Sequence, residues 1–208
     1  MNQEPKQIKP WSSIWFNPRG TLREILATHP NQYLLLLVIG GGIGQAFNYS
    51  STLTLGDTLS VSSIFALCLV LGPLSALISL YLWGWLLQWI SRLLGGIATA
   101  PELRIAVAWS WAPVVYLLPM WGVRYILFRQ EMFTSQQPFI ESHELLSALY
   151  GFFNVVDFLI SMMSLFLLFN TVSEVNKFSV WRSIAAVGLL MILLTIPFLL
   201  LVSIMGPM

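Results

Sequence analysis

The chain has 208 residues, of which 57% are hydrophobic and only 9% are charged. Soluble domains carry about 45–50% apolar and about 25% charged residues, so these charges are too few to cover a water-soluble surface of this size. Ten basic residues nearly balance nine acidic ones, which gives no reason to expect a nucleic-acid partner. The single cysteine, Cys68, excludes a disulfide framework and a cysteine-rich metal site. A lipid bilayer is the solvent that fits this composition.

The N-terminal segment, residues 1–31, mixes polar and apolar residues and is too charged to span a bilayer. Thr21 and Glu24 have the spacing of a capping box, which predicts a short helix that begins at Thr21 and ends before Pro30. We expect an amphipathic helix that lies in the interface on the cytoplasmic side. Packing of this helix on the protein's own inner surface is an equally good interpretation.

Five apolar stretches are predicted to span the membrane as helices, at about 33–49, 64–90, 105–128, 145–170 and 180–204. The first contains Gly40 and Gly44, a spacing that lets helix backbones approach closely in a membrane. The second is about 40 Å long at about 1.5 Å per residue, which predicts a tilt or a kink, most naturally at Gly72 and Pro73. The predicted fold is therefore all-α, a polytopic transmembrane bundle of five helices over residues 32–208, preceded by the short interfacial helix.

Lysine and arginine positions predict the orientation. With the N-terminus inside, eight of these residues fall in inner segments and only Arg124 and Arg129 fall outside. The positive-inside rule then predicts a multi-pass protein of the plasma (inner) membrane, with its N-terminus cytoplasmic and its C-terminus outside. Arg124 lies near the outer end of the third span, where we expect its side chain to reach the interface. The eight inner residues are Lys6, Lys9, Arg19, Arg23, Arg92, Arg104, Lys177 and Arg182.

Tryptophans and basic residues gather on the predicted cytoplasmic side, around a central turn that joins the second and third spans. This combination is typical of a membrane interface with anionic lipids, although signalling of topology explains the basic residues equally well. The candidate contacts to lipid or to a membrane or cytoplasmic protein partner are Trp11, Trp15, Arg19, Arg92, Glu102, Arg104, Trp109, Trp111, Lys177 and Arg182.

Asp157 lies at the centre of the fourth predicted span. A central aspartate costs about 2.5–3.5 kcal/mol on the insertion scale, and each large apolar residue returns about 0.3–0.6 kcal/mol. The stretch Leu149–Leu168 contains twelve such apolar residues, so the helix can insert if Asp157 faces protein. Asn154, Asp157, Ser161 and Ser164 recur every three or four residues and predict one intramembrane polar stripe.

Two interpretations of this stripe stay open. It could relay protons or ions, or line the path of a small polar solute. Alternatively, it is a hydrogen-bonded clasp to neighbouring helices, which we favour because the membrane centre holds no second carboxylate or histidine that could accept a proton. Candidate partners for the clasp are Ser75, Ser79, Tyr81, Ser110 and Tyr116.

Catalytic patterns are lacking in the sequence. His29 and His143 fall on opposite sides of the predicted membrane, and no nucleophilic triad or metal-ligand spacing occurs. We therefore expect no catalytic residues, no metal and no cofactor.

Several segments of the chain form a recognisable series, namely Trp11–Arg19, Thr21–Ile25, Gly95–Thr99, Glu102–Arg104, Ala106–Pro113 and Phe178–Arg182. Their order and spacing resemble the bacterial branch of the Yip domain family, the five-span relatives of the Ypt/Rab-interacting membrane proteins. The similarity also includes Asp157 and covers nearly the whole chain. It implies a helical bundle with a cytoplasmic N-terminus and without established catalysis; eukaryotic members are linked to Rab GTPases, vesicle traffic and membrane shape.

The sequence thus predicts a non-enzymatic integral membrane protein of the Yip type. We expect it to act through its cytoplasmic face in membrane organisation or in recruitment of a protein partner. The alternative is a small transporter or channel subunit built around Asp157, which would work as a homo-oligomer because five helices enclose little space.

Overall fold

A computed structural model of the protein describes the backbone of residues 9–205 and the side chains of residues 9–196. Lys6, one of the predicted inner cations, lies outside the described residues. Over the described backbone, all regular structure is helical, as predicted, and two 3-10 helices occupy Leu55–Asp57 and Arg129–Phe133. The α-helices are α1 (Pro10–Ser13), α2 (Pro18–Thr28), α3 (Leu34–Thr52), α4 (Val61–Leu93), α5 (Ala100–Ser110), α6 (Ala112–Tyr116), α7 (Leu118–Phe128), α8 (Pro138–Glu141), α9 (Glu144–Asn176) and α10 (Val180–Met205).

Three helical stretches among the described residues are long and apolar enough to cross a membrane, namely Val61–Leu93, Ala100–Phe133 and Glu144–Asn176. The part of α10 whose side chains the structure describes, Val180–Ile196, is apolar but shorter, and α3 is not among the three. The all-helical, multi-pass membrane architecture is therefore confirmed. The count of five spans stays a prediction.

The boundaries of α2 and α9 correct two sequence-based predictions. Helix α2 begins at Pro18, three residues before Thr21, because the Asn17 side chain caps it by accepting a hydrogen bond from the Gly20 amide at 3.1 Å and proline suits the first helical turn. The predicted capping box at Thr21 is therefore wrong. Helix α9 continues to Asn176, six residues beyond the predicted end of the fourth span.

The chain divides into two compact units. Helices α4 and α9 each contribute residues to both. Unit 1 comprises Met1–Pro30, Tyr81–Val107 and Leu167–Met208, and unit 2 comprises Asn31–Leu80 and Ala108–Phe166.

Glycines in α3 permit close helix packing in unit 2. A Cβ on Gly42 would lie 2.5 Å from the Gly72 carbonyl oxygen, so α3 and α4 meet backbone to backbone. A Cβ on Gly44 would lie 2.5 Å from the Val114 side chain of α6. The prediction that these glycines serve helix packing is confirmed, and Gly42, outside the predicted Gly40 and Gly44 pair, makes the contact with α4.

Aromatic side chains fill the core of unit 2. Phe47 stacks on Trp121 with ring centroids 5.4 Å apart and meets Phe65 edge-on at 4.9 Å. Phe133, which is fully buried, lies 6.3 Å from Phe47 and belongs to the 3-10 helix after α7. The connection between α7 and α9 therefore contributes to the core of unit 2.

Asn176 organises the turn between α4 and α5 in unit 1. Its amide oxygen accepts a hydrogen bond from the Ala98 amide at 3.3 Å, and its amide nitrogen donates to the Ser91 hydroxyl at 3.3 Å. Gly95 has a φ of +82°, a conformation that glycine adopts without strain. A Cβ on Gly96 would collide with the Asn176 side chain. The end of α9 thus fixes the Gly95–Gly96 turn.

Candidate functional site

An ion pair lies within the helices of unit 2. Arg124 Nη2 is 2.7 Å from Asp157 Oδ2 and 2.8 Å from the Phe153 carbonyl oxygen, to which it donates a hydrogen bond. The Arg124 guanidinium also sits over the Trp121 and Phe153 rings, 4.7 and 5.0 Å from their centroids. The arginine side chain is 8% exposed and the aspartate side chain 26%. Charge, hydrogen bonding and aromatic faces together hold this arginine inside the protein.

This pair corrects the predicted position of Arg124, which is buried rather than extended to the interface. It also identifies the partner of Asp157, which the sequence analysis sought among hydroxyl groups. Two opposite charges in hydrocarbon are each costly alone and much less costly together. The presence of one arginine and one aspartate in predicted spans was the available signal, but the two residues are 33 positions apart and no local pattern joins them.

The predicted polar stripe on α9 does not act as one continuous network. Ser161 donates its hydroxyl to the Asp157 carbonyl oxygen at 2.8 Å, within the helix. The Ser164 hydroxyl is buried without a hydrogen-bond partner among the described residues. Asn154 is exposed. The four residues share one side of the helix, but Asn154 and Ser161 are exposed whereas Asp157 and Ser164 are partly buried, so their side chains have different surroundings.

A second charged cluster surrounds Glu174 in unit 1. The Glu174 side chain is 5% exposed and accepts from Arg23 at 2.9 Å and from Lys177 at 2.7 Å, and Arg19 lies 3.7 Å away. Arg19 also donates to the Phe178 carbonyl oxygen at 3.1 Å. The hydrogen bond to Glu174 raises the pKa of the Arg23 guanidinium, so Arg23 stays charged. Three cations against one carboxylate leave this cluster with a net positive charge.

The sequence analysis did not single out Glu174, which lies between the predicted fourth and fifth spans. A carboxylate within an i, i+3 distance of Lys177 was the available signal. The structure shows that α2 brings Arg19 and Arg23 to the same carboxylate. The N-terminal segment is therefore attached to the end of α9, which supports the interpretation that α2 packs on the protein's own surface.

Arg92 and Arg182 form an exposed basic surface beside the Gly95–Gly96 turn. Both side chains are exposed, and neither forms an ion pair within the described part of the chain. The Arg182 guanidinium lies close to Gly95, since a Cβ on that glycine would be 3.9 Å from Nη1. Large apolar side chains next to these arginines are also exposed, namely Leu93 at 70%, Ile97 at 71% and Trp181 at 80%.

Two other residues predicted to contact lipid or a partner interact with side chains of the protein itself. Glu102 accepts hydrogen bonds from the backbone amide and the hydroxyl of Thr99, each at 2.8 Å, and so caps α5. Arg104 lies over the Tyr81 ring, 4.3 Å from its centroid. These contacts explain a polar pair at the start of an apolar helix without any ligand.

The predicted tryptophan contacts fall into two groups. Trp11 and Trp15 are half-buried in unit 1, in and just after α1. Trp109 is only 1% exposed, and Trp111 packs against Gly41, where a Cβ would lie 3.1 Å from it. The predicted role of Trp109 as a surface contact is therefore wrong, because its ring is enclosed in unit 2. The sequence position next to a turn was a poor guide to its exposure.

His, Cys, Asp and Glu side chains are the usual protein ligands of metal ions. Within residues 9–196, no three of these side chains come together in a way that could hold a metal ion. Cys68 is buried beside the Ser50 hydroxyl, with the sulfur 3.4 Å from the oxygen.

Comparison with known proteins gives one match. The family model described as the Yip1 domain matches residues 12–203, which is nearly the whole chain and includes both charged clusters. No curated protein and no solved structure matches the chain. The resemblance drawn from the sequence is thereby confirmed, and this chain, with its apolar helices, belongs to the Yip1 domain family of membrane proteins.

Proposed function

We propose that this protein is a non-enzymatic, multi-pass protein of the plasma membrane that organises the membrane by binding anionic lipid headgroups at its cytoplasmic face. The observation that carries the proposal is the surface formed by Arg92 and Arg182, which have no acidic partner among the described residues and lie among exposed Leu93, Ile97 and Trp181. Cations beside apolar and indole side chains suit the boundary between headgroups and acyl chains.

The partition of charge supports the proposed orientation. All seven described residues of the predicted inner set belong to unit 1, whereas Arg124 and Arg129 belong to unit 2. This separation of the basic residues agrees with a cytoplasmic position for the inner set. The proposal includes five spans, with α3 and α10 as the two beyond the three long apolar stretches, an N-terminus inside and a C-terminus outside.

The lipid-binding proposal can be tested with the full chain purified in detergent. Native mass spectrometry would measure retention of phosphatidylglycerol and phosphatidylcholine by the wild type, by the double variant Arg92→Gln/Arg182→Gln, and by Arg129→Gln as a matched control. Each basic residue near an anionic surface contributes about 1 kcal/mol, so the double variant should bind phosphatidylglycerol about thirtyfold more weakly. Phosphatidylcholine binding should not change.

Two results would contradict this proposal. Equal phosphatidylglycerol binding by the double variant and the Arg129→Gln control would exclude the basic surface as the lipid site. Photo-crosslinking from Trp181 to a cytoplasmic protein, abolished by the double variant while lipid retention stays unchanged, would instead support recruitment of a protein partner through the same surface.

The alternative function is a small transporter or channel subunit with Asp157 in its path. The observation in its favour is the 26% exposure of the Asp157 side chain, which leaves the carboxylate accessible from one side. Its pairing with Arg124 favours a structural role, because a charge neutralised at 2.7 Å is poorly placed to bind a second ion. Solute or proton flux into proteoliposomes that is lost on Asp157→Asn, with the folded protein retained, would favour transport.

A further inference from the structure

Asn154 has an amide without a partner on the exposed side of α9. The residue is exposed, and its side chain makes no hydrogen bond within the described residues. Ser161, two turns further along, differs because its hydroxyl bonds to the Asp157 carbonyl oxygen of the same helix. The polar atoms of the Asn154 amide therefore need a partner from outside the chain.

Asn154 lies at a depth in the membrane where an amide without a hydrogen-bond partner is costly. It lies ten residues after the start of α9, a 33-residue helix in a candidate membrane span. A hydrocarbon core of about 30 Å covers about 20 residues of helix, and Asn154 falls inside such a core centred on α9. Lipid tails offer neither donors nor acceptors, and an unsatisfied amide in hydrocarbon costs several kcal/mol. A protein group from outside this chain would remove that cost.

The residues around Asn154 have the spacing of a helix–helix seam. Ser147, Gly151, Asn154, Phe158 and Ser161 follow one another at intervals of four, three, four and three, and all five are exposed. This heptad spacing places them along one seam between two helices that cross at a small left-handed angle. At Gly151, an added Cβ would meet nothing within 4 Å, so no packing within this chain requires glycine there.

We propose that this seam of α9 is the interface of a homodimer in the membrane. Copies of one chain insert in the same orientation, so a two-fold axis along the membrane normal places their Asn154 residues at the same depth. An amide carries both a donor and an acceptor, and two of them satisfy each other across such an axis. Gly151 lets the two backbones approach each other closely. The Asp157 carboxylate does not oppose the association, because Arg124 of the same chain neutralises its charge.

Two single-cysteine variants of α9 test the proposal, each made in the full chain and reconstituted into lipid vesicles. Cys68 is the only native thiol, and Cys68→Ala provides the background. Ser147→Cys places a thiol on the seam, and Ala148→Cys places one on an equally exposed residue at the same depth but about 100° around the helix. We expect oxidation to give a disulfide-linked dimer about tenfold more efficiently from Ser147→Cys than from Ala148→Cys.

Three further variants separate dimerisation from folding. Gly151→Leu and Asn154→Leu, each combined with Ser147→Cys, should lower the yield of linked dimer about tenfold, while Asn154→Gln should retain most of it. Thermal unfolding of the Gly151→Leu protein should match the parent, because a Cβ added at that position meets nothing within 4 Å. Equal linking of Ser147→Cys and Ala148→Cys, or an unchanged yield with Gly151→Leu, would overturn the proposal. So would loss of solute flux in Asn154→Leu without any change in linking, since Asn154 would then face water.

Discussion

Replacing Asp157 with asparagine removes the negative charge that faces Arg124 and preserves the size of the side chain. Arg124 would keep its hydrogen bond to the Phe153 carbonyl oxygen at 2.8 Å and its contacts with two aromatic rings. Its guanidinium would stay inside the protein without a counter-ion, because the arginine side chain is only 8% exposed. We therefore expect Asp157→Asn to destabilise the fold.

The size of the effect follows from the geometry of the pair. Two unit charges about 4 Å apart attract by about 4 kcal/mol at an effective dielectric constant of about 20. Removal of one partner from a buried pair costs about 3–5 kcal/mol. Since the Asp157 side chain is 26% exposed, solvent screens part of this attraction, and the lower limit of about 3 kcal/mol is the appropriate expectation. This loss corresponds to about a hundredfold change in the ratio of folded to unfolded protein.

Equilibrium unfolding of the purified full chain in mixed micelles, followed by tryptophan fluorescence, would measure this free energy. A double-mutant cycle with Arg124→Gln isolates the coupling between the two side chains. The double variant Asp157→Asn/Arg124→Gln should be less destabilised than the sum of the two single variants, because it leaves no unpaired charge.

Either of two results would refute this reasoning. A free energy of unfolding for Asp157→Asn within about 0.5 kcal/mol of the wild type would mean that the carboxylate contributes no charge pairing. Additive effects in the cycle would mean that the two residues stabilise the protein independently, and the ion pair would then not form in the membrane.

Two further predictions concern α3 and the loops of unit 2. Gly42→Ala should lower the free energy of unfolding by about 1–3 kcal/mol, because its Cβ would lie 2.5 Å from the Gly72 carbonyl oxygen; Gly188→Ala, where a Cβ meets nothing within 4 Å, is the control and should not destabilise. Hydrogen bonds from Ser135 lower the pKa of the Asp57 carboxyl, so their contribution is present above the ordinary aspartate pKa and is lost as the pH falls through the lowered value. The protection of the Ser135 amide, measured as its exchange rate relative to the intrinsic rate at each pH, should accordingly fall as the pH drops below the ordinary aspartate pKa, and the Asp57→Asn variant should lack this transition.

Local patterns predicted the helices and the glycine packing of α3 well. Long apolar stretches specify helices in lipid, because every backbone polar group there needs a partner within its own segment. They predicted helix ends less well. Helix α2 starts earlier than predicted, at Pro18 after the Asn17 cap. Helix α9 ends later, at Asn176, whose side chain bonds to Ser91 of α4 and to Ala98 of the turn that follows α4.

The two charged clusters could not be predicted from spacing. Asp157 stood out in the sequence as a costly charge, yet its partner Arg124 belongs to a different helix. Glu174 did not stand out at all, although α2 brings two arginines to it. Trp109 is a further example. Its position near a turn suggested an exposed side chain, but the side chain is buried.

Composition and the length of the apolar stretches are enough to predict a helical membrane protein, because both respond directly to the bilayer, and the order of its motifs is enough to recognise the Yip family. Which charges neutralise each other and which stay available depends on how the helices pack. Arg124 and Glu174 are paired inside the protein, whereas Arg92 and Arg182 have no acidic partner within the described residues. The physical reason is that ion pairing depends on distances of a few ångströms between helices far apart in the chain, and these distances exist only after the helices have packed.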